Sequence, residues 1–199
     1  MSGAPKPAGR ERPYHHGDLR RALLAAAVEM IAEAGPAALS LRALARRTGV
    51  SHAAPAHHFA DKAGLLTAIA AEGYELLAAA LREAEERTGS YLEMGVAYVH
   101  FAVTHRAHFE VMFRPELYHA DDPAVVAARR ASGVLLYGPV RDLSDRDPDF
   151  DSLRAGVAAW SLVHGLATLY LDGALPPQLG DDPEEIARAV AAYLFRPRP

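Results

Sequence analysis

The stretch that most constrains this chain is Ser40 to Phe59, SLRALARRTGVSHAAPAHHF. Leu41, Leu44 and Ala45 recur at i, i+3 and i+4, which gives a helix one apolar face. Ser40 stands just before them, its hydroxyl able to accept from an orphan amide of the first turn as an N-cap. Gly49 follows the polar turn Arg46-Arg47-Thr48, where glycine enters the left-handed region without a steric penalty. Val50 supplies an apolar plug. Ser51 reopens as the N-cap of a second short helix carrying His52, Ala53, Ala54, His57 and His58. Two short helices joined by a glycine corner are a helix-turn-helix. In that arrangement the first helix crosses a DNA backbone and the N-terminal residues of the second meet base edges in the major groove. A helical hairpin inside an ordinary bundle has the same pattern, so the rest of the chain has to separate the two.

Charge is divided along the chain in a way that favours DNA. Over residues 1–64, nine Lys and Arg stand against five acids, a balance of +4, and the remainder of the −4 chain carries −8. A basic head on an acidic body suits a protein of which only the head meets a polyanion. There is no cysteine among the 199 residues, which excludes disulfides and cysteine metal sites. No run approaches eighteen uninterrupted apolar residues and the N-terminus lacks a hydrophobic signal core, so a soluble, cytoplasmic protein with no membrane contact is expected.

Residues 1–13, rich in Pro, Gly, Ala and Arg, read as a disordered basic arm, either a solvated tail or a minor-groove reader. Asp18 is a candidate N-cap for a first helix over Leu19 to Ala34, stopped by Gly35-Pro36. Its stripe Leu24, Ala27, Val28 and Ile31 would cover the helix-turn-helix. After Phe59, Asp61 can cap a helix running to about Thr88. Lys62 then sits in its first turn, where a cation opposes the helix dipole but suits a phosphate contact.

The run from His16 to Leu66 resembles the N-terminal DNA-binding domain of the TetR family of bacterial transcriptional regulators. The residues that carry the resemblance are the Leu23-to-Ile31 helix, Gly35, Ser40, Leu41, Leu44, Ala45, Gly49-Val50-Ser51, His58-Phe59, Lys62 and Leu65-Leu66. The resemblance implies an all-α chain with a three-helix DNA-binding domain over 14–66 and a helical effector-binding and dimerisation domain over 67–199. It implies a homodimeric repressor that a small molecule releases from a palindromic double-stranded operator. Ser40, Arg42, Ser51, His52, Ala53, Ala54, His57, His58 and Lys62 are the candidate DNA contacts. Two positions depart from the family. Ala56 replaces a tyrosine whose hydroxyl reaches a phosphate, and Pro55 cannot donate to the Ser51 carbonyl, which would leave the second helix one bond short.

Beyond residue 88 the pattern stays helical. Tyr91 to Tyr118 is the most aromatic region, and stripes of aromatic and Met side chains serve either as core or as the wall of an apolar ligand pocket. Met94, Tyr98, Phe101, His105, Phe109, Met112, Phe113, Tyr137, Trp160 and His164 are the candidate pocket residues, for an apolar or amphipathic effector. His105 and His108 at i, i+3 lack a convincing third ligand, so no metal and no cofactor is expected. Asp122-Pro123 opens a helix to about Arg146 with a kink at Gly138-Pro139, and Asp147 opens another, apolar nearly all round from Phe150 to Asp172. With the last helix it offers Leu153, Val157, Leu162, Leu166, Leu169, Ile186, Val190 and Leu194 as a four-helix dimer interface. The spacing Trp160…His164-Gly165 resembles a TetR C-terminal subclass marked by Trp-His-Gly. No P-loop, dinucleotide fingerprint, nucleophile elbow or HExxH motif argues for an enzyme. The competing reading is a helical small-molecule-binding protein whose DNA binding is weak or lost.

Overall fold

The computed structural model describes residues 16–138 and 151–194, and every regular element among them is helical. The N-terminal arm, the Pro139 kink and the helical turns expected towards Arg146 and after Asp147 lie outside the described residues.

Helix α1 spans His16–Ala38 and begins two residues before the expected cap. Asp18 therefore lies within the first turn, where its carboxylate accepts from Arg21 at 2.7 Å. Gly35, at φ 74° and ψ 165°, interrupts the helix, and Pro36 restarts a last turn. Helix α2 (Leu41–Thr48) is capped as expected: Ser40 Oγ accepts from the Ala43 amide at 3.2 Å, and Gly49 closes it at φ 68°.

Helix α3 starts later than the sequence suggests. It spans Ala54–Phe59, with Ala53 and not Ser51 at its N-cap and no side-chain cap at all. Ser51 instead closes a preceding turn, its carbonyl accepting from the Ala54 amide at 3.0 Å. Pro55 thus falls in the first helical turn, where an amide has no intrahelical partner to lose. The bond expected to be missing is not missed.

Between α3 and α4 (Lys62–Thr88) the chain turns within three residues. The Asp61 amide donates to the Phe59 carbonyl at 2.8 Å across Ala60, which sits at φ 63° and ψ −64°, a strained γ-turn. Asp61 then caps α4 by accepting from the Gly64 amide at 2.8 Å. This corner packs so closely that a Cβ at position 64 would lie 2.0 Å from the Phe59 carbonyl oxygen. Glycine is required there by space.

The remaining helices are α5 (Tyr91–Thr104), α6 (Arg106–Met112), α7 (Pro123–Tyr137), α8 (Ser152–Leu171) and α9 (Pro183–Ala191), the last continuing as a 3-10 turn over Ala192–Leu194. Ser90, Asp122, Asp151 and Asp182 cap α5, α7, α8 and α9 through their side chains. One core runs through the molecule. Leu65, Leu66 and Ile69 of α4 meet Leu23, Ile31 and Leu44, while Leu77 and Leu81 continue it towards Tyr98, Val99 and Phe101. By length and composition α4 could cross a membrane, but 61% of its most apolar window is buried inside this core.

The expected interface residues divide. Leu166 and Ile186 are 7% and 3% exposed, packed inside the chain, so they are core and not dimer surface. Leu162 and Val190 are half-buried, and the Leu194 side chain lies outside the described residues. Leu153, Val157 and Leu169 remain exposed. Helix α8 gives one face to its own chain and leaves the other open, which is why its periodicity alone could not allot the leucines.

Replacing Gly64 by Ala forces the α3–α4 corner apart. Overpacking of this kind costs about 1–3 kcal/mol, and urea denaturation should show a lowered midpoint at an unchanged slope.

Candidate nucleic-acid interface and ligand pocket

The helix-turn-helix is held to the body by one side of α3. Pro55 and Phe59 are buried, and the Arg20 guanidinium of α1 lies 5.2 Å above the Phe59 ring, a cation–π contact. The opposite side is open. Ser51, His52, Ala53 and His57 are exposed, as are Ser40 and Arg42 at the start of α2, whereas Ala54 and His58 are half-buried. The candidate base-reading residues thus lie in the turn before α3 and in its first residue.

The basic residues have unequal duties. Arg47 is clasped by α1: its two η nitrogens donate to Glu33 at 2.7 Å each, and one also reaches Glu29 at 3.2 Å. The hydrogen bonds from Arg47 hold the Glu33 carboxyl below its ordinary value. Arg47 therefore fastens α2 to α1. Lys62 is partly engaged too, since its Nζ donates to the Ala37 carbonyl at 3.0 Å and ties the start of α4 to the end of α1. An ammonium has three donors, so two remain for a phosphate. Neither tie is legible in the sequence, because each joins residues far apart in the chain.

The candidate pocket residues also divide. Tyr98, Phe109, Phe113, Tyr137, Trp160 and His164 form one aromatic cluster, with ring centroids 4.6 Å apart for Phe113 and His164 and 6.2 Å for Tyr137 and Trp160. The Trp160 indole N–H donates to the Tyr98 oxygen at 3.2 Å, and Tyr98 and His164 Nδ1 are hydrogen-bonded at 2.8 Å. Met94 lines an apolar slot beside Tyr98 and Trp160. Phe101, His105 and Met112 stand elsewhere and line no part of this cluster, a correction to the expected set. The Phe101 ring stacks on His105 at 5.1 Å, and Met112 is core, its sulfur against α4 near Gly73. Helical spacing placed all ten on related helices, but α5 and α6 each have two buried faces.

One polar contact escaped the sequence. His108 of α6 is 6% exposed, and its Nε2 lies 2.9 Å from the Glu72 carboxylate of α4. Glu110, the carboxylate nearest to the His105/His108 pair in sequence, is taken by Arg106 at 2.9 Å. No group of three metal-ligating side chains forms among the described residues.

Burial pushes the Tyr98 hydroxyl far above the ordinary tyrosine value and pushes His164 and His105 below theirs. A histidine depressed in the folded state binds fewer protons there than when unfolded. Its stabilising share is complete above the ordinary value of 6.5 and is lost as pH falls below it. Thermal melting between pH 8 and pH 5 should therefore decline on the acid side, and His164→Gln should flatten that decline.

Comparison with known proteins places these features in context. The profile of bacterial regulatory proteins of the tetR family matches residues 23–69, and that of the tetracyclin repressor-like C-terminal domain matches residues 91–194. A solved protein of unknown function from Rhodococcus sp. RHA1 is 37% identical, covering 93% of this chain and 97% of that one, with a TM-score of 0.78. The TetR family transcriptional regulator PfmR from Thermus thermophilus is 23% identical over 86% of this chain and 96% of its own, with a TM-score of 0.69. A TetR family transcription regulator from Marinobacter aquaeolei is 18% identical over 88% and 94%, at a TM-score of 0.65. The last two share the fold. No curated protein matches the chain.

Proposed function

The chain belongs to the tetR family of bacterial regulatory proteins, and from that premise we propose that it is a homodimeric repressor, released from a palindromic operator by a small molecule. The observation that carries the DNA half of this reading is the one-sided burial of α3. Pro55 and Phe59 anchor the helix while Ser51, His52 and Ala53 stay open at the end that enters a major groove. Residues 14–66 serve as the DNA-binding part and 67–199 as the effector and dimer part. The effector half is supported by the aromatic cluster, in which Trp160 and His164 meet through Tyr98. The spacing Trp160…His164-Gly165 is what favours the Trp-His-Gly subclass. The deciding experiment is a mobility shift with the DNA upstream of the protein's own gene: a saturable, competitor-resistant complex supports the reading, and its absence contradicts it.

Two copies are needed because one short recognition helix reads only a few base pairs. The exposed Leu153, Val157 and Leu169 of α8 are the surface available to join them. A charge at Val157 should leave the chain folded, as that side chain is open in the single copy, and should dissociate the dimer in light scattering. A charge at Ile186 should unfold the chain instead, since it would be buried without a partner.

Lys62→Ala should weaken binding alike on all sequences and lower the salt slope by about one. The sharper contrast is His52→Ala. His52 can donate to a purine N7, so selection from random DNA should return a motif relaxed at one position per half-site. The reading of weak DNA binding now rests on Ala56 alone, Pro55 being well placed. Ala56→Tyr would restore a neutral phosphate contact, raising affinity about 2–10-fold without changing the salt slope.

A further inference from the structure

Tyr98, Trp160 and His164 form a partition between two spaces. On one side lies the apolar slot lined by Met94, Leu136 and Val163, about 20 Å³, room for about one water. On the other, an open cleft of about 220 Å³ lies between α6 and the C-terminal half of α8. Its floor is Phe109, Phe113 and His164. Any ligand larger than a water meets the cleft without displacing core side chains.

The hydrogen-bond chain fixes what the floor presents. An indole N–H only donates, so Tyr98 accepts from Trp160; the buried Tyr98 hydroxyl proton has His164 Nδ1 as its one acceptor among the described residues, and we assign it there. With Nδ1 accepting, the neutral imidazole carries its proton on Nε2. Nε2 has no protein partner among the described residues and is not buried, and the cleft is the space that His164 lines. The floor is thus two phenyl rings and one free N–H donor.

The rim sets the charge. Arg106 is paired with Glu110 at 2.9 Å, and Arg114 faces the same cleft as Asp172, so cations and anions balance. Such a cleft has no net charge to favour an ion of either sign over a neutral molecule. We propose that this cleft binds an uncharged, planar aromatic molecule carrying a hydrogen-bond acceptor, such as an amide or lactam carbonyl, aimed at His164 Nε2–H. The site rests on the effector reading above and deepens it. Its α6 wall leads to the DNA-binding half, because α6 packs on α1 and through His108 holds Glu72 of α4.

Trp160 is the only tryptophan in the sequence and lies 5.7 Å from His164, so its fluorescence reports on the floor. The full chain is titrated with benzamide and isoquinolin-1-one, with toluene as the aromatic lacking an acceptor and benzoate and benzylammonium as the charged analogues. Both amides should give saturable changes, at least about tenfold tighter than toluene or either ion, a ratio within reach of one hydrogen bond. His164→Leu should weaken the amides about tenfold and leave toluene within twofold. Absence of saturable binding by both amides, tighter binding of an ion, or unchanged amide affinity in His164→Leu would overturn the proposal. Should that variant fail to fold, the amide-to-toluene ratio in the wild type decides alone. A mobility shift without added ligand separates the two readings. A chain that binds DNA but neither amide refutes this site, and one that binds amides but no DNA refutes the regulator and leaves the site standing.

Discussion

The structure depends on the burial of α4. Its first turns carry Leu65, Leu66 and Ile69 against the helix-turn-helix, and its later turns carry Tyr74, Leu77 and Leu81 against α5, α6 and α7. Burying such side chains yields about 1.5–3 kcal/mol each relative to exposure, so neither half can leave α4 cheaply. One rigid helix of 27 residues is therefore common property of both halves. A shift of α4 at its distal end has to be felt at Asp61 and Gly64, where the corner to α3 leaves no free space.

That corner explains how a short helix with no side-chain cap is held in place. α3 has six residues, too few to be stable by itself. Its position comes from Phe59 and Pro55 in the core, Arg20 over the Phe59 ring, and the γ-turn at Ala60. The clasp of Arg47 on Glu33 and Glu29 and the bond from Lys62 to Ala37 secure α2 and α4 to α1. Residues that read as a basic surface are in part fasteners. A helix so fixed presents its open end in one orientation, which is what reading a base sequence requires.

Most of the fold was legible because helix caps are local. Ser40, Asp61 and Asp122 each accept from an amide two or three residues on, within reach of a sequence pattern. Ser51 misled for the same reason: it has the composition of a cap, but with Pro55 and Phe59 buried the N-cap falls two residues later, at Ala53. Side-chain allotment in the distal half was less legible. Leu166 and Leu169 are neighbours on one apolar helix, and only contact with α5 and α9 makes the first core and the second surface. The aromatic cluster was half read, since Phe101 and Phe109 have the same composition and spacing and face different neighbours. His108 with Glu72 and Tyr98 with His164 are separated by 36 and 66 residues, beyond any periodicity argument.

The central claim is that two copies of one anchored recognition helix read DNA at a fixed spacing. Hydroxyl-radical footprinting of the chain on its own upstream region measures that spacing directly. The account predicts two symmetric protected half-sites on one face of the duplex, centred one helical turn of about 34–36 Å apart or a multiple of it. A single protected half-site, or uniform coverage without register, would contradict it.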